Sequence, residues 1–194
     1  MTAFACEMPS RGMAGTLAAR FASLVPVLTT DRLILRAPDI TDFPAYAAIT
    51  CSPRGQWLGT DMTREASWYD FAAMTANWML RGHGLWAVET RADASLVGFV
   101  VLGFEPGDAE PELGFMFTKV GEGQGYAFEA ASAARAHAFD TLNLPGLVSY
   151  IFAENKRSIA LAERLGALLD GSLAYEGDDV PSLVYRHPKQ GGAG

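Results

Sequence analysis

Between Val120 and Glu129 the chain reads Val-Gly-Glu-Gly-Gln-Gly-Tyr-Ala-Phe-Glu, a run that can do chemistry with its main chain alone. It follows a strand-like segment, Glu112 to Thr118, and opens an alanine-rich helical stretch ending near Leu142. A glycine-rich turn in that position bares backbone N–H groups at the positive end of a helix dipole. Such a place suits the phosphates of a bound ligand. The dinucleotide pattern G-x-G-x-x-G fails, because its third glycine falls on Tyr126 counted from Gly121 and on Phe128 counted from Gly123. A P-loop fails for want of a Gly-Lys-Ser or Gly-Lys-Thr triplet. Two readings stay open for Gly123, Gln124, Gly125, Tyr126 and Ala127: a plain turn, or a cradle for some other phosphate-bearing ligand.

The remaining reactive side chains narrow the chemistry. Glu110 and Glu112 form an i,i+2 pair, too close in sequence for the two carboxylates that must flank a glycosidic bond. His83, His137 and His187 stand alone, with no triad-like or metal-like neighbourhood, and are expected on the surface or satisfied by hydrogen bonds. There is no HExxH motif and no Cys/His cluster, so no metal is expected. Cys6 and Cys51 are far apart and make no redox motif. No activated cysteine or serine nucleophile is visible, which favours direct attack between substrates over a covalent enzyme intermediate.

Composition sets the outer bounds. The 194 residues suffice for one domain with a sizeable core, and 49% apolar with 19% charged residues is an ordinary globular mixture. A net charge of −7 argues against a general nucleic-acid binder and is compatible with a cationic or amine substrate. No apolar run reaches the length of a membrane span. Thr16 to Val25 is interrupted by Arg20 and preceded by Glu7, so a secretory signal is not expected and a cytoplasmic protein is.

The elements that must position these groups follow from periodicity. Arg32 to Arg36 reads as a strand ended by Pro38 and Asp39. Asp39 or Thr41 can cap a helix through Phe43, Tyr46 and Ile49. Arg64 to Leu80 keeps helical spacing through Trp68, Phe71, Met74 and Trp78 until Gly82 and Gly84. Strands are expected at Leu85–Glu89, Ser95–Phe104 and Glu112–Thr118, then the long helix, a strand at Leu147–Ala153 and a helix from Asn155 to Leu165. Ala167–Tyr175 and Val180–Arg186 read as a closing hairpin around Gly177-Asp178-Asp179. The boundaries are an N-terminal extension at 1–27 with one short helix, a single domain at 28–188 and a flexible tail at 189–194.

Four motifs in this order resemble the GNAT acetyltransferases, and most closely their ribosomal-protein N-terminal acetyltransferase branch. Leu28-Thr-Thr-Asp-Arg-Leu-Ile-Leu-Arg36 is similar to that branch's first strand, and Val97-Gly-Phe-Val-Val-Leu102 to its "I-G" strand. Gly123 to Glu129 resembles its G-x-G-Y-A-x-E loop, and Asn155-Lys-Arg-Ser158 with Leu165-Gly166 its N-x-x-S helix and L-G ending. The resemblance implies an α/β GNAT fold: a mixed central sheet of about six or seven strands flanked by helices, with splayed central strands at the cofactor site. It implies acetyl-CoA as donor and a primary amine, a protein N-terminus or a small molecule, as acceptor. In the family's Q/R-x-x-G-x-G/A loop pattern the first position falls here on Glu122, a departure, so the diphosphate is expected to rest on backbone N–H groups.

The resemblance also distributes roles. Gly123, Gln124, Gly125, Tyr126 and Ala127 would hold the diphosphate. The strand edge near Met116, Phe117 and Thr118 would pair with the pantetheine arm and offer an N–H to the oxyanion. Glu112 would meet the amine or its water, with Glu110 on the same face. The tyrosine that many members use to protonate the leaving thiolate falls on Ala162, which leaves Ser158 as the hydroxyl nearest that role or as a helix-start serine bonded to the backbone. Asn155 can cap its helix and also bond the pantetheine arm. Lys156 and Arg157 are solvated charges or partners of the 3′-phosphate. Trp57, Trp68, Tyr69, Trp86 and Tyr175 are available to an acceptor pocket, with Trp68 and Phe71 assigned first to packing. A non-catalytic acyl-CoA-binding module is the alternative that the missing tyrosine and Glu122 leave open, and the apolar N-terminal segment makes a homodimer plausible.

Overall fold

Leu33 and Leu35 alternate with Ile34 and Arg36, and the computed structural model buries the two leucines completely. It describes residues 4–58, 62–174 and 180–189, which excludes Tyr175, the turn at Gly177–Asp179 and the tail from Gln190. Strand β1 (Leu28–Thr29) pairs with β2 (Leu33–Arg36), whose Arg36 makes ion pairs to Asp42 in the next turn and to Glu89 on the neighbouring strand. Asp39 then starts a 3-10 turn with a reciprocal capping box to Asp42, and α2 (Phe43–Thr50) continues from it. Before β1, a short helix α1 (Gly12–Ala22) buries none of its residues, while Glu7 is held under Arg64 by two hydrogen bonds. Thr63 caps α3 (Arg64–Arg81), and Gly82 ends it with a left-handed φ of 76°.

The sheet is built next: β3 (Leu85–Thr90), β4 (Leu96–Gly103), β5 (Glu112–Phe117), then α4 (Tyr126–Ala136), which runs on through a π turn to Thr141. β6 (Val148–Ile151), α5 (Lys156–Arg164), β7 (Leu168–Leu173) and β8 (Ser182–Arg186) complete it. The 8 strands lie in the order β1-β2-β3-β4-β5-β6-β8-β7, antiparallel except where β5 meets β6 in parallel. The strand beyond the expected six or seven is β1, two residues too short to carry a period.

Each face of the sheet has its own core. On one side α2 and α3 pack Phe43, Tyr46, Ile49, Phe71 and Met74 on Leu85, Ala87 and Phe99. On the other, α4 lays Ala130, Ala131 and Ala134 on Leu102 and Leu113, small side chains that let the helix lie close to the strands. α5 covers the far side with Ala162, which sits among Ile151, Ala167 and Tyr185. No helix of the described residues is long and apolar enough to cross a membrane.

The histidines are buried, and His83 and His187 are satisfied by hydrogen bonds, one of the two expected outcomes. His83 Nδ1 bonds the Leu102 carbonyl at 2.7 Å, and His187 Nε2 meets Ser149 Oγ at 3.0 Å. Burial, with Arg135 adding to it, holds the His187 pKa down to about 4, so the ring is neutral. Ser149 donates its proton to the Leu113 carbonyl at 2.7 Å, so the bond from His187 must be an Nε2–H donation. Ser149→Ala leaves that carbonyl and that N–H unpaired in a dry place, and is expected to cost about 1–3 kcal/mol in urea denaturation.

Candidate active site

β5 and β6 share one register pair, Glu112 with Val148, and then separate. Which main-chain groups face the gap follows from the pleat. Thr118 N bonds Val97 O at 2.9 Å, so by alternation Met116 and Gly114 also bond β4, and Leu113, Phe115 and Phe117 turn their N–H and C=O groups away from it. Two contacts agree with this: Leu113 O accepts from Ser149, and Phe117 O accepts from Arg54 Nη2 at 3.4 Å. Met116 and Phe117 both line the cleft, but the main-chain groups free to pair differ from those expected. Met116 turns its main chain to β4, Thr118 spends both its N–H and its hydroxyl on Val97 O, and Phe115 joins Phe117 as the available edge. Spacing alone could not reveal this, because a slip of one residue exchanges the two edges.

At the far end of β5 lies the glycine loop. Gly123 and Gly125 have φ of 71° and 77°, and a Cβ on either would meet nothing closer than Arg32 Nη2 at 3.5 Å. Conformation rather than crowding therefore demands glycine, since an L-residue there costs about 1–2 kcal/mol. Gly125 is the N-cap of α4 and brings no capping side chain, and the first helical bond runs from Glu129 N to Gly125 O at 3.2 Å. The N–H groups of Tyr126, Ala127 and Phe128 thus have no partner within the helix.

Arg32 holds this loop in place. Its Nη1 donates to Gln124 O at 2.9 Å and its Nε to Glu129 Oε2 at 2.7 Å, while its guanidinium lies 4.8 Å from the Tyr126 ring centroid. Glu129 also accepts from Thr30 Oγ1 at 2.6 Å and Arg32 N at 2.9 Å. Because a trans peptide points its C=O and N–H in opposite directions, tying Gln124 O to Arg32 aims the Gly125 N–H the other way. The sequence reading missed Arg32 and Glu129 as a clamp, although both lie inside matched motifs.

Glu122 is not an idle departure. Its carboxylate pairs with Arg54, from the turn after α2, and with Arg157 Nη1 of α5 at 2.6 Å. Burial works to raise its pKa, but the hydrogen bonds from the two arginines outweigh it and hold the group below the usual range.

Phe115 and Ser158 line the cleft, whereas Glu112 stands at the start of β5 and is not part of that lining. Glu112 Oε1 accepts from the Tyr150 N–H of β6 at 3.3 Å, which fills the first unpaired position in the gap. Burial first, then the charges of Glu105 and Asp108, push its pKa up to about 8, against the pull of that N–H. Glu110 does not join it. Arg186 takes both its oxygens, at 2.7 and 2.5 Å, and keeps it ionised below its ordinary value. Tyr150 extends its hydroxyl to the amides of Ala109 and Glu110 at 3.2 Å, fixing the chain that enters β5.

Asn155 caps α5 by accepting from Ser158 N at 3.2 Å. The Ser158 hydroxyl has no hydrogen bond among the described residues, and Asn155 and Ser158 both line a cleft of about 690 Å³ with Phe115, Phe117, Gly123 and Gly125. Trp57 lines the same cleft, whereas Trp86 is in the core and Tyr69 projects into solvent. Trp68 and Phe71 pack against Phe43, as assigned. Lys156 bonds Ala153 O at 2.6 Å and does not reach the loop.

The model of the acetyltransferase (GNAT) domain matches residues 32–168, which span β2 through the start of β7. The chain belongs to the GNAT acetyltransferase family. An acetyltransferase from Agrobacterium tumefaciens is 41% identical, with a TM-score of 0.78 over 84% of this chain and 95% of that one. Two more distant structures share the fold. The ribosomal L7/L12 α-N-protein acetyltransferase RimL in complex with coenzyme A is 19% identical, with a TM-score of 0.68 over 84% of this chain and 97% of that one. The Salmonella typhimurium acetyltransferase that modifies the N-terminal serine of ribosomal protein L7/L12 is 17% identical, with a TM-score of 0.68 over 83% of this chain and 97% of that one. The GNAT assignment makes the chain an enzyme, an acetyltransferase, and the splayed parallel pair is its fold's signature.

The raised pKa of Glu112 has a stability consequence. The folded protein holds this proton more tightly than the unfolded chain, so the group's contribution is most favourable in acid and is lost as pH rises from 4.5 through about 8. Glu112→Gln removes that dependence. Its urea midpoint relative to wild type is expected to be higher at about pH 8.5 than at about pH 5.

Proposed function

We propose that this GNAT acetyltransferase moves an acetyl group from acetyl-CoA to a primary amine, a protein N-terminus or a small molecule, by direct attack. One observation carries the reading: a raised-pKa carboxyl and a glycine-rich helix N-terminus stand at opposite ends of one unpaired strand edge. Residues 28–188 form the catalytic unit in this reading, with 1–27 an extension and 189–194 a tail.

The residues present fit coenzyme A. Free N–H groups at Gly125, Tyr126, Ala127 and Phe128 suit a diphosphate, with Gly123 and Gln124 shaping the approach. The Phe115 and Phe117 edge suits an amide-rich pantetheine arm added like a strand. The Asn155 amide remains a donor toward that arm, because capping uses only its oxygen. When bound, acetyl-CoA supplies the thioester carbonyl.

Glu112 takes the proton of the acceptor. Its pKa of about 8 lies near the pH at which an amine must become neutral, which matches base to task. An approaching ammonium group draws that raised pKa back down by opposite charge, so a bound acceptor helps to ionise its own base. The Phe117 or Phe115 N–H donates to the carbonyl oxygen as charge builds there. Ser158 offers its unpaired hydroxyl to the leaving sulfur. Ala162 is completely buried, so no acid at that position reaches the cleft.

The neighbour that modifies a ribosomal-protein N-terminal serine puts such peptides first among acceptors to try. Release of free coenzyme A should be followed across ribosomal-protein N-terminal peptides, polyamines and amino-acid-like amines. Turnover on the best acceptor is expected to rise with pH through about 8 and to lose that rise in Glu112→Gln. Glu112→Gln is expected to slow turnover by about 10²-fold or more, and Ser158→Ala by less. Wild-type rates from both variants would remove these two assignments. Gly125→Val should weaken coenzyme A in isothermal titration more than it lowers the urea midpoint, and unchanged affinity in the folded variant would contradict the cradle.

A further inference from the structure

Arg54 belongs to the acceptor side of the cleft but is fastened to the cofactor side. It sits in the 3-10 turn Pro53–Gly55 directly after α2. Its Nη2 pairs with Glu122 of the glycine loop and donates to the Phe117 carbonyl at 3.4 Å. One guanidinium therefore occupies both the last main-chain acceptor of the open β5 edge and the acid of the loop. Its Nε is buried and has no acceptor among the described residues. An N–H withheld from water and unpaired is costly, and an oxygen-rich ligand beside it removes that cost.

The turn that carries Arg54 is rigid. Ser52 Oγ accepts from Arg54 N at 3.2 Å and donates to Ile49 O at 2.8 Å. Gly55 lies so tightly on the end of α2 that a Cβ there would stand 2.3 Å from Thr50 O. Trp57 follows in the same segment, lines the cleft, and packs on Phe152 just beyond β6 with ring centroids 6.4 Å apart. The segment from Arg54 to Trp57 spans the mouth of the splay from the β5 end to the β6 end.

We propose that Arg54 is a positioning residue that couples an occupied cofactor loop to the acceptor wall: an entering diphosphate draws its guanidinium from Glu122 and Phe117, and Trp57 resettles on Phe152. The inference rests on the acetyl-CoA reading above. Two conflicts drive it. Phe117 O cannot serve a pantetheine amide and Arg54 together at full strength. Glu122 also shares a single charge between Arg54 and Arg157, whereas a diphosphate offers more charge and more oxygens to the same donors. The exchange replaces one charge-assisted contact by another, so it proceeds at little net cost. The wall facing the amine is then completed only after the donor has arrived.

Coenzyme A titrated into the full chain tests this, with heat reporting binding and tryptophan emission reporting Trp57. Emission is expected to change at saturation. Trp57→Phe should abolish most of that change while holding affinity to about twofold. Trp78 and Trp86, stacked on each other in the interior with ring centroids 4.6 Å apart, should stay silent. Arg54→Ala is expected to weaken coenzyme A about tenfold and to lose the emission change even at saturation. Glu122→Gln removes the internal competitor and should tighten binding, more so at low salt. Wild-type affinity or a wild-type emission change in Arg54→Ala overturns the coupling, as does a full change in Trp57→Phe or weaker binding by Glu122→Gln. Failure of the wild type to take up coenzyme A at all overturns the acetyl-CoA reading itself.

Discussion

Two parallel strands joined at Glu112 and Val148 and parted beyond that pair leave a row of main-chain donors and acceptors without a sheet partner. Buried backbone groups rarely stay unpaired, so the protein answers each one locally. Ser149 reaches from β6 to Leu113 O, the Glu112 carboxyl covers the Tyr150 N–H, and Arg54 covers Phe117 O. The groups of Phe115 between them are left for something that arrives from outside. The rest of the structure keeps this gap open: α4 braces one face through its alanines, α2 and α3 the other, and the His187–Ser149 bond supports its apex.

Charge is sorted along that edge. The chain entering β5 gathers carboxyls, and Glu112 at its start is pushed up to about 8 by burial first and then by the charges of Glu105 and Asp108. The end of β5 gathers cations and bare amides: Arg54, Arg157 and the first turn of α4. A ligand with an anionic tail and a neutral reactive head fits this polarity in one direction only. In the proposed reading a cationic acceptor approaches the opposite end, so two substrates with opposite charges need not compete for one approach.

Much of this was legible in the chain. The glycine run, the alternation in Leu33–Leu35, the caps at Asp39 and Asn155, and the order of strands and helices are local signals, and these elements form where their signals lie. Glu112 opens β5 and Ser158 lies in the first turn of α5, places that local signals marked. What escaped depends on contacts across the sheet. Glu110 shares the parity of Glu112 but is captured by Arg186, 76 residues away. Met116 lines the cleft, but its main chain is spent on β4, because the ladder and not the sequence spacing decides which amides are free. Glu122 looked like a defect in a phosphate loop until Arg54 and Arg157 were seen on it. The three histidines carry no flanking pattern that marks them as interior.

The clamp on the glycine loop has an implication for how the molecule is made. Thr30 and Glu129, joined at 2.6 Å, are 99 residues apart in the chain. Closing so long a stretch has an entropic cost that nearer contacts must first offset, which places this closure among the slower steps of folding. During synthesis the first strands therefore wait, with Arg32 unmatched, until more than half of the polypeptide has emerged. The loop proposed to hold coenzyme A is thus completed late, when one arginine finds its glutamate.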